Sequence, residues 1–350
     1  MASALPKTMK AWVVVKNGPA TSANLALQST RPPPTAPTGS NILVKVTHAA
    51  LNPADIHFIN VLPTWLPFRR VATPGLDFAG SVVALGPAVP AETNLKVGTT
   101  VCGALAVAQV FFGAGSLAEY VVVPASLVAV KPERFTNAQA AGLMGIAGQT
   151  ASLMVQHAAL KAGQRVLING ASGGVGSVLV QIVKGLGVKV YAVCSGANEE
   201  MVRRLGADEV IDYKAHDPVE TFLAEKFKDE PFDIIFDCAG GDGLYTQSPS
   251  YLKPGCKFIT IVGGPSQGVI PFIKHKLRPV FLGGTPRPFH LLGLSPAGNF
   301  ARQAAKYVEE GLIKEAPIDS EYSLEEVVQA YERVASKRAK GKVIIKVAEE

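Results

Sequence analysis

The stretch RVLINGASGGVGSVLVQ, residues 165–181, constrains this chain more than any other. It is an apolar strand, a glycine-rich turn and an apolar helix. Gly173, Gly174 and Gly176 stand where a backbone must come close to a pyrophosphate and where a helix must pack tightly on a sheet. The unpaired N–H groups and positive end of a helix opening near Gly174 suit a phosphate. A glycine pattern alone is weak, but this one begins an alternation. Strand-like runs follow at 165–170, 189–194, 209–213, 232–239, 257–264 and 278–284, with helical runs between them such as 174–187 and 218–227. Strands that are apolar throughout and joined by helices predict a parallel sheet buried on both faces. Six of them with crossovers predict an α/β, doubly wound (Rossmann) nucleotide domain.

The first third reads differently. Residues 10–16, 41–51, 78–85 and 117–123 are strand-like and separated by turns such as RPPPTAPTGS (31–40). The texture changes near residue 130, where 137–160 reads as helix rich in small residues, and again near 286. Two helices (299–313 and 323–336) and a strand (341–347) close the chain, the second helix opening on the capping-box pair Ser323 and Glu326. The final strand is expected to rejoin the first domain.

Composition excludes some classes. With 48% hydrophobic and 18% charged residues, the chain of 350 residues can bury a large core and is not disordered. No apolar run reaches the roughly 18 residues of a membrane span. The start, MASALPKTMKAWVVV, carries no targeting pattern, so a cytoplasmic location is expected. The net charge of +6 is scattered without a nucleic-acid-binding pattern, which fits an enzyme with an anionic ligand. Cys102, Cys194, Cys238 and Cys256 are too far apart for a CxxC pair and read as small core residues.

The strand at 189–194 ends without the usual acid. Nineteen residues past Gly176 stands Ser195, followed by Gly196. A carboxylate there would accept a hydrogen bond from a ribose 2′-hydroxyl and repel a 2′-phosphate. A serine hydroxyl can donate to the phosphate, and Gly196 lets the chain come close. Arg203, Arg204, Tyr213 and Lys214 are near in sequence, although both arginines cannot face one site from one helix. The pattern points to NADPH over NADH. The plainer alternative is that Ser195 caps the following helix.

These residues bring a family into view. NPADIH (52–57), TPGLDFAGSVVALG (73–86), GSLAEYVVVP (115–124), AGQTA (147–151), NGASGGVG (169–176), LGADEVIDY (205–213), FDCAGG (236–241) and RAKGKVIIKV (338–347) resemble the medium-chain dehydrogenase/reductase superfamily in its zinc-free quinone oxidoreductase-like branch. The resemblance runs nearly end to end. It implies a GroES-like β-rich catalytic domain made of residues 1–129 and 287–350, with a Rossmann NADP(H) domain, 130–286, inserted. It implies that the cofactor lies along the glycine turn, Ser172, Gly173, Gly174, Val175 and Gly176. Thr150 would lie near the phosphates or the nicotinamide. The turns Cys238–Gly240 (with Ala239) and Val262–Gly264 (with Gly263) would line the nicotinamide ribose, and Tyr213 would flank the adenosine 2′-phosphate. Asn198 stands where several relatives carry a lysine, and Lys342 joins the cofactor set.

Zinc-dependent relatives have ligands this chain lacks: the Gly-His-Glu region reads Gly75-Leu76-Asp77, and no four cysteines cluster. No metal is expected. Without a Lewis acid, a reaction that makes an alkoxide is disfavoured, whereas hydride addition to an enone or quinone spreads the charge over several atoms. The expected activity is therefore NADPH-dependent hydride transfer to a conjugated acceptor, a quinone or an α,β-unsaturated carbonyl. Alternatives are a trans-acting enoyl reductase on a carrier-bound polyketide or fatty chain, and a non-catalytic NADPH-binding sensor or partner protein. Asn52 is the candidate donor to a substrate oxygen, against the plainer reading of a turn residue before Pro53. His57 is a possible proton donor. FINVLPTW (58–65) has no tyrosine, which counts against a tyrosine acid. Phe58, Leu62 and Trp65 could line a pocket for a small hydrophobic conjugated carbonyl, or be lid or core. No nucleic-acid or membrane partner is expected, and the chain is read as a monomer or homodimer.

Overall fold

The computed structural model describes residues 5–61, 72–262 and 278–349. Of these, the residues within Met1–Gln149, Ser295–Glu309 and Ala316–Glu350 form one compact unit, and those within Thr150–Leu294 and Glu310–Glu315 form another. The candidates Leu62, Trp65 and Gly263 lie outside the described residues.

The first unit begins with an antiparallel pair, β1 (Met9–Val14) and β2 (Leu25–Arg31). Next come β3 (Asn41–Leu51), α1 (Pro53–Val61), β4 (Asp77–Leu85), β5 (Thr100–Ala104), α2 (Val107–Phe111), β6 (Tyr120–Pro124), β7 (Val128–Val130), α3 (Asn137–Met144) and α4 (Ile146–Ala158), which runs past the unit boundary. The expected single helix over 137–160 is thus broken at Gly145. A Cβ there would lie 2.2 Å from Asp77 Cγ, and the Ile146 N–H donates to Asp77 Oδ1 at 2.8 Å. The buried carboxylate of β4 takes the place a local N-cap would fill at the start of α4.

The second unit holds β8 (Arg165–Asn169), α5 (Gly174–Gly185), β9 (Lys189–Cys194), α6 (Glu199–Arg204), β10 (Glu209–Asp212), α7 (Val219–Lys226), β11 (Phe232–Asp237), α8 (Asp242–Thr246), β12 (Leu252–Thr260) and β13 (Phe289–Leu291). Among the described residues its sheet is six-stranded, parallel and ordered β10-β9-β8-β11-β12-β13. That is the doubly wound order 3-2-1-4-5-6, with its switch point between β8 and β11. A core of Tyr191, Phe227, Phe232 and Phe258 with aliphatic neighbours packs beside it. The sixth strand is not the expected 278–284. There Pro279 opens a 3-10 turn, Val280–Leu282, and its carbonyl accepts from the N–H groups of Leu282 and Gly284. The chain doubles back on itself, and pairing with β12 falls to β13.

The chain then returns to the first unit with α9 (Gly298–Glu309), β14 (Ile318–Ser323), α10 (Val327–Ala335) and β15 (Lys342–Lys346). The Ser323–Glu326 capping box forms, with the Ser323 N–H donating to the Glu326 carboxylate at 2.9 Å. Strand β14 lies in a stretch where the sequence pattern predicts no strand. The first unit's larger sheet runs β14-β15-β3-β4-β5-β7, with β6 on β3.

The expected boundaries at 129/130 and 286/287 therefore move. α3 packs on β3, β4 and β15 and belongs to the first unit. β13 completes the second unit's sheet, and Gln181 binds the 310–315 segment there by accepting from the N–H groups of Lys314 and Glu315 at 2.9 Å. Among the described residues no helix is long and apolar enough to cross a membrane.

Candidate functional site

Strand register builds a buried polar cluster in the first unit. β3 runs between β15 and β4, with Val343 opposite Leu51 and Ala50 opposite Asp77. Asn52, the next residue along, therefore falls between Lys342 and Asp77. Its Oδ1 accepts from Lys342 Nζ at 2.6 Å, and its Nδ2 donates to Asp77 Oδ2 at 2.9 Å. Lys342 Nζ also reaches Asp77 Oδ2 at 3.0 Å. Asp55, in the first turn of α1, accepts from the Asn52 N–H at 2.7 Å and from Nδ2 at 3.4 Å. All four residues are buried.

Burial is the largest influence on both acids. It pushes Asp55 up to about 7, helped by the charge of Asp77. It also raises Asp77, against the pull of Lys342 and the hydrogen bond from Asn52. Asp55 Oδ1 and the Tyr331 hydroxyl are buried without a partner.

This arrangement does not suit the roles expected of two residues. Both amide hydrogens of Asn52 point at carboxylates, so no donor remains for a substrate oxygen. The Lys342 ammonium is held by Asn52 and Asp77 rather than presented to a cofactor. His57 is half-buried on α1, and Phe58 packs against the first unit's apolar core.

The second unit gathers most of the expected cofactor residues at the carboxyl ends of its strands, where the doubly wound fold binds ligands. α5 opens at Gly173 with no side-chain cap, leaving its first N–H groups for another acceptor. Gly176 is fixed by close approach: a Cβ there would sit 2.2 Å from the Gly170 carbonyl oxygen. Ser172, Gly173, Gly174 and Val175 are half-exposed along the turn, and Thr150 is buried in α4. Asn198 Nδ2 donates to the Ser172 hydroxyl at 2.9 Å, tying the β9 loop to the glycine turn, while its buried Oδ1 has no partner.

At the switch point, sequence reading missed a network. Asp237 Oδ1 accepts from Asn169 Nδ2 at 2.8 Å and from the N–H groups of Ala239 at 3.2 Å and Gly240 at 2.8 Å. Its Oδ2 accepts from the Thr260 hydroxyl at 2.9 Å, and that hydroxyl oxygen accepts from the Val262 N–H at 3.0 Å. One carboxylate thus shapes both turns assigned to the nicotinamide side. The signal was present as a polar residue closing each of three apolar strands.

At the end of β9, Ser195 precedes a 3-10 turn but makes no side-chain cap, so the hydroxyl is not used that way. Tyr213 is 46% exposed. Arg203 pairs with Glu199 and Arg204 with Glu315, both on the surface. Asp212, at the end of β10, sits beside Gly196. Of the cysteines, Cys102 and Cys194 are buried, whereas Cys238 and Cys256 are half-buried rather than core.

The comparisons agree with this architecture. The family model for the alcohol dehydrogenase GroES-like domain matches residues 38–133, and that for a zinc-binding dehydrogenase matches residues 205–345. A medium chain reductase, pydE, of an Acremonium species is 34% identical, over 98% of this chain and all of that protein. The trans-enoyl reductase pgmF of Aspergillus terreus is 35% identical, over all of this chain and 99% of that protein. Among solved structures, a quinone oxidoreductase from Coxiella burnetii superposes with a TM-score of 0.80 at 28% identity, covering 97% of this chain and 99% of that one. The chain is an oxidoreductase and belongs to the medium-chain dehydrogenase/reductase superfamily.

Two groups are implied by that family. The donor set in the first unit does not fit zinc. Asp77 is filled by Lys342, Asn52 and the Ile146 N–H, so an ammonium already occupies the cation's place. Leu76 lies in the apolar core, and His48 contacts Thr47. Among the described residues no three His, Cys, Asp or Glu side chains converge as metal ligands. A nicotinamide dinucleotide fits the second unit: the uncapped helix end and the orphaned Asn198 Oδ1 are unmet polar groups of the kind a ligand satisfies.

Proposed function

We propose that this chain is an NADPH-dependent, zinc-independent reductase of conjugated acceptors, and that its preferred acceptors are enoyl thioesters. The observation that carries the reading is the closed polar cluster of the first unit. Lys342, Asn52, Asp55 and Asp77 are the residue types that could polarise a carbonyl, and they are bonded to one another. An acceptor that delocalises its own negative charge makes the least demand on such a protein. A bound reduced nicotinamide supplies a hydride. Received at the β-carbon of an enoyl thioester, it leaves an enolate spread over three atoms, which a solvent proton quenches at the α-carbon.

The chain's own residues have binding and orienting roles. Ser172 to Gly176 offer backbone N–H groups to the pyrophosphate. Ser195 offers a hydroxyl to the 2′-phosphate, with Tyr213 beside it. Asp237 fixes the Cys238–Gly240 and Val262 turns against the nicotinamide ribose. The enoyl thioester is favoured over other conjugated acceptors by the likeness to pgmF and to a further trans-enoyl reductase, poxH of Penicillium oxalicum, 32% identical over 98% of this chain. A quinone is the second reading, favoured by the superposition on the Coxiella quinone oxidoreductase.

The test is oxidation of NADPH deuterated at C4 in the presence of an enoyl thioester, an enone and a quinone. Deuterium at the β-carbon of the saturated thioester, with a turnover advantage over the quinone, is the expected result. Turnover of simple ketones or alcohols in preference to conjugated acceptors would overturn the proposal.

A further inference from the structure

The end of β9 lacks an acid in sequence but not in space. β10 pairs with β9 in parallel, with Asp212 opposite Cys194. That register carries the Asp212 carboxylate to the residues just beyond β9. A Cβ on Gly196 would lie 2.5 Å from Asp212 Oδ2 and 3.3 Å from its Cγ, so the carboxylate fills the space a side chain at 196 would take. Its Oδ1 accepts from the Lys214 N–H at 2.9 Å. Its Oδ2 accepts no hydrogen bond, and no lysine or arginine pairs with it, among the described residues. The nearby arginines are committed to Glu199 and Glu315. The charge is felt at the strand end: after burial, Asp212 is the next cause raising the Cys194 thiol to about 11.

Doubly wound folds place the adenosine ribose at this strand end. We propose that Asp212 supplies, from the neighbouring strand, the carboxylate that β9 lacks, and that it sets cofactor selectivity. It opposes the 2′-phosphate of NADPH and offers Oδ2 as acceptor to the 2′-hydroxyl of NADH. The preference for NADPH that Ser195 creates is therefore partial, and NADH is a second cofactor. The inference rests on the cofactor reading above and sharpens it.

The test is calorimetric titration of the full chain, wild type and Asp212→Asn, with NADPH, NADH and adenosine 2′,5′-bisphosphate. Asparagine keeps Oδ1 for the Lys214 N–H, removes the charge and replaces the Oδ2 acceptor with an amide donor. The expected result is about tenfold tighter binding of NADPH and of the bisphosphate, with NADH weaker, the repulsion being that of a partly exposed pair of charges. Asp212→Ser repeats the comparison should the asparagine variant fail to fold. A ratio of NADPH to NADH affinity unchanged by removing the charge, in a wild type that binds both, sinks this inference alone. A wild type that binds neither sinks the cofactor reading and this inference together.

Discussion

Lys342 Nζ lies 3.0 Å from Asp77 Oδ2, although 265 positions separate the two residues. The contact joins the last strand of the chain to β4, and Asn52 completes it from the end of β3. Nothing in the local sequence announces it. It follows from the antiparallel register of β15 on β3, which is a property of the whole first unit.

Removing the lysine should therefore act on stability before it acts on chemistry. Lys342→Ala leaves a fully buried carboxylate without its counter-charge, and losing one partner of a buried pair costs about 3–5 kcal/mol. The expected outcome in chemical denaturation is a clear drop in the unfolding midpoint. Lys342→Met combined with Asp77→Asn should recover part of the loss, because neither of these two positions then buries a charge.

Asp55 gives the same cluster a pH dependence. In the folded chain it holds its proton up to about 7, against 3.8 as its ordinary value, chiefly through burial and then through Asp77. Between those values the folded state binds more protons than the unfolded state. Stability from this group is thus complete below the ordinary carboxylate range and is lost as pH rises through about 7. Asp55→Asn cannot titrate, so its denaturation midpoint should fall less than that of the wild type between about pH 5 and about pH 8. Parallel pH profiles for the two proteins would contradict the assignment.

The glycine that breaks the expected helix over 137–160 offers a steric test. Gly145→Ala places a methyl 2.2 Å from Asp77 Cγ, and it must displace the carboxylate that receives the Ile146 N–H. Overpacking of this kind costs about 1–3 kcal/mol, and loss of the buried hydrogen bond adds to it. Gly293→Ala, with nothing within 4 Å of the added Cβ, is the control and should lie within about 0.5 kcal/mol of wild type. Thermal melts of both variants decide the point.

The fold was legible where a single segment carries its own signal. The alternation from Arg165 to Thr260 and the strand–glycine–helix unit at 165–181 depend on local periodicity, and both describe the observed sheet. The Ser323–Glu326 cap is equally local. What sequence could not show was set by register. Asn52 looked like a donor facing outward because its partners, Lys342 and Asp77, come from two other strands. Asp212 is hidden for the same reason, since it reaches the end of β9 through the register of a neighbouring strand and not through the local sequence. Residues 278–284 looked like a strand because Val280, Phe281 and Leu282 are apolar, yet all three are exposed in a turn that Pro279 initiates.

Asp237 allows the cofactor turns to be tested apart from the bulk fold. Its Oδ1 is the common acceptor for Asn169 Nδ2 and for the N–H groups of Ala239 and Gly240, and its Oδ2 holds Thr260. Asp237→Ala removes all four bonds and leaves two backbone donors at the switch point free to turn away. Asp237→Asn keeps an acceptor at the Oδ1 position and gives up mainly the bond from Thr260. NADPH affinity, followed by quenching of intrinsic fluorescence, should fall at least tenfold for the alanine variant and only a few-fold for the asparagine variant, each lost hydrogen bond to a charged group being worth about 1.5–3 kcal/mol. Hydrogen exchange should quicken at residues 238–240 in the alanine variant while β8 and α5 stay protected. If the two variants lose affinity equally, charge and not turn geometry is what Asp237 contributes, and its place as an organiser of the Cys238–Gly240 turn would have to be given up.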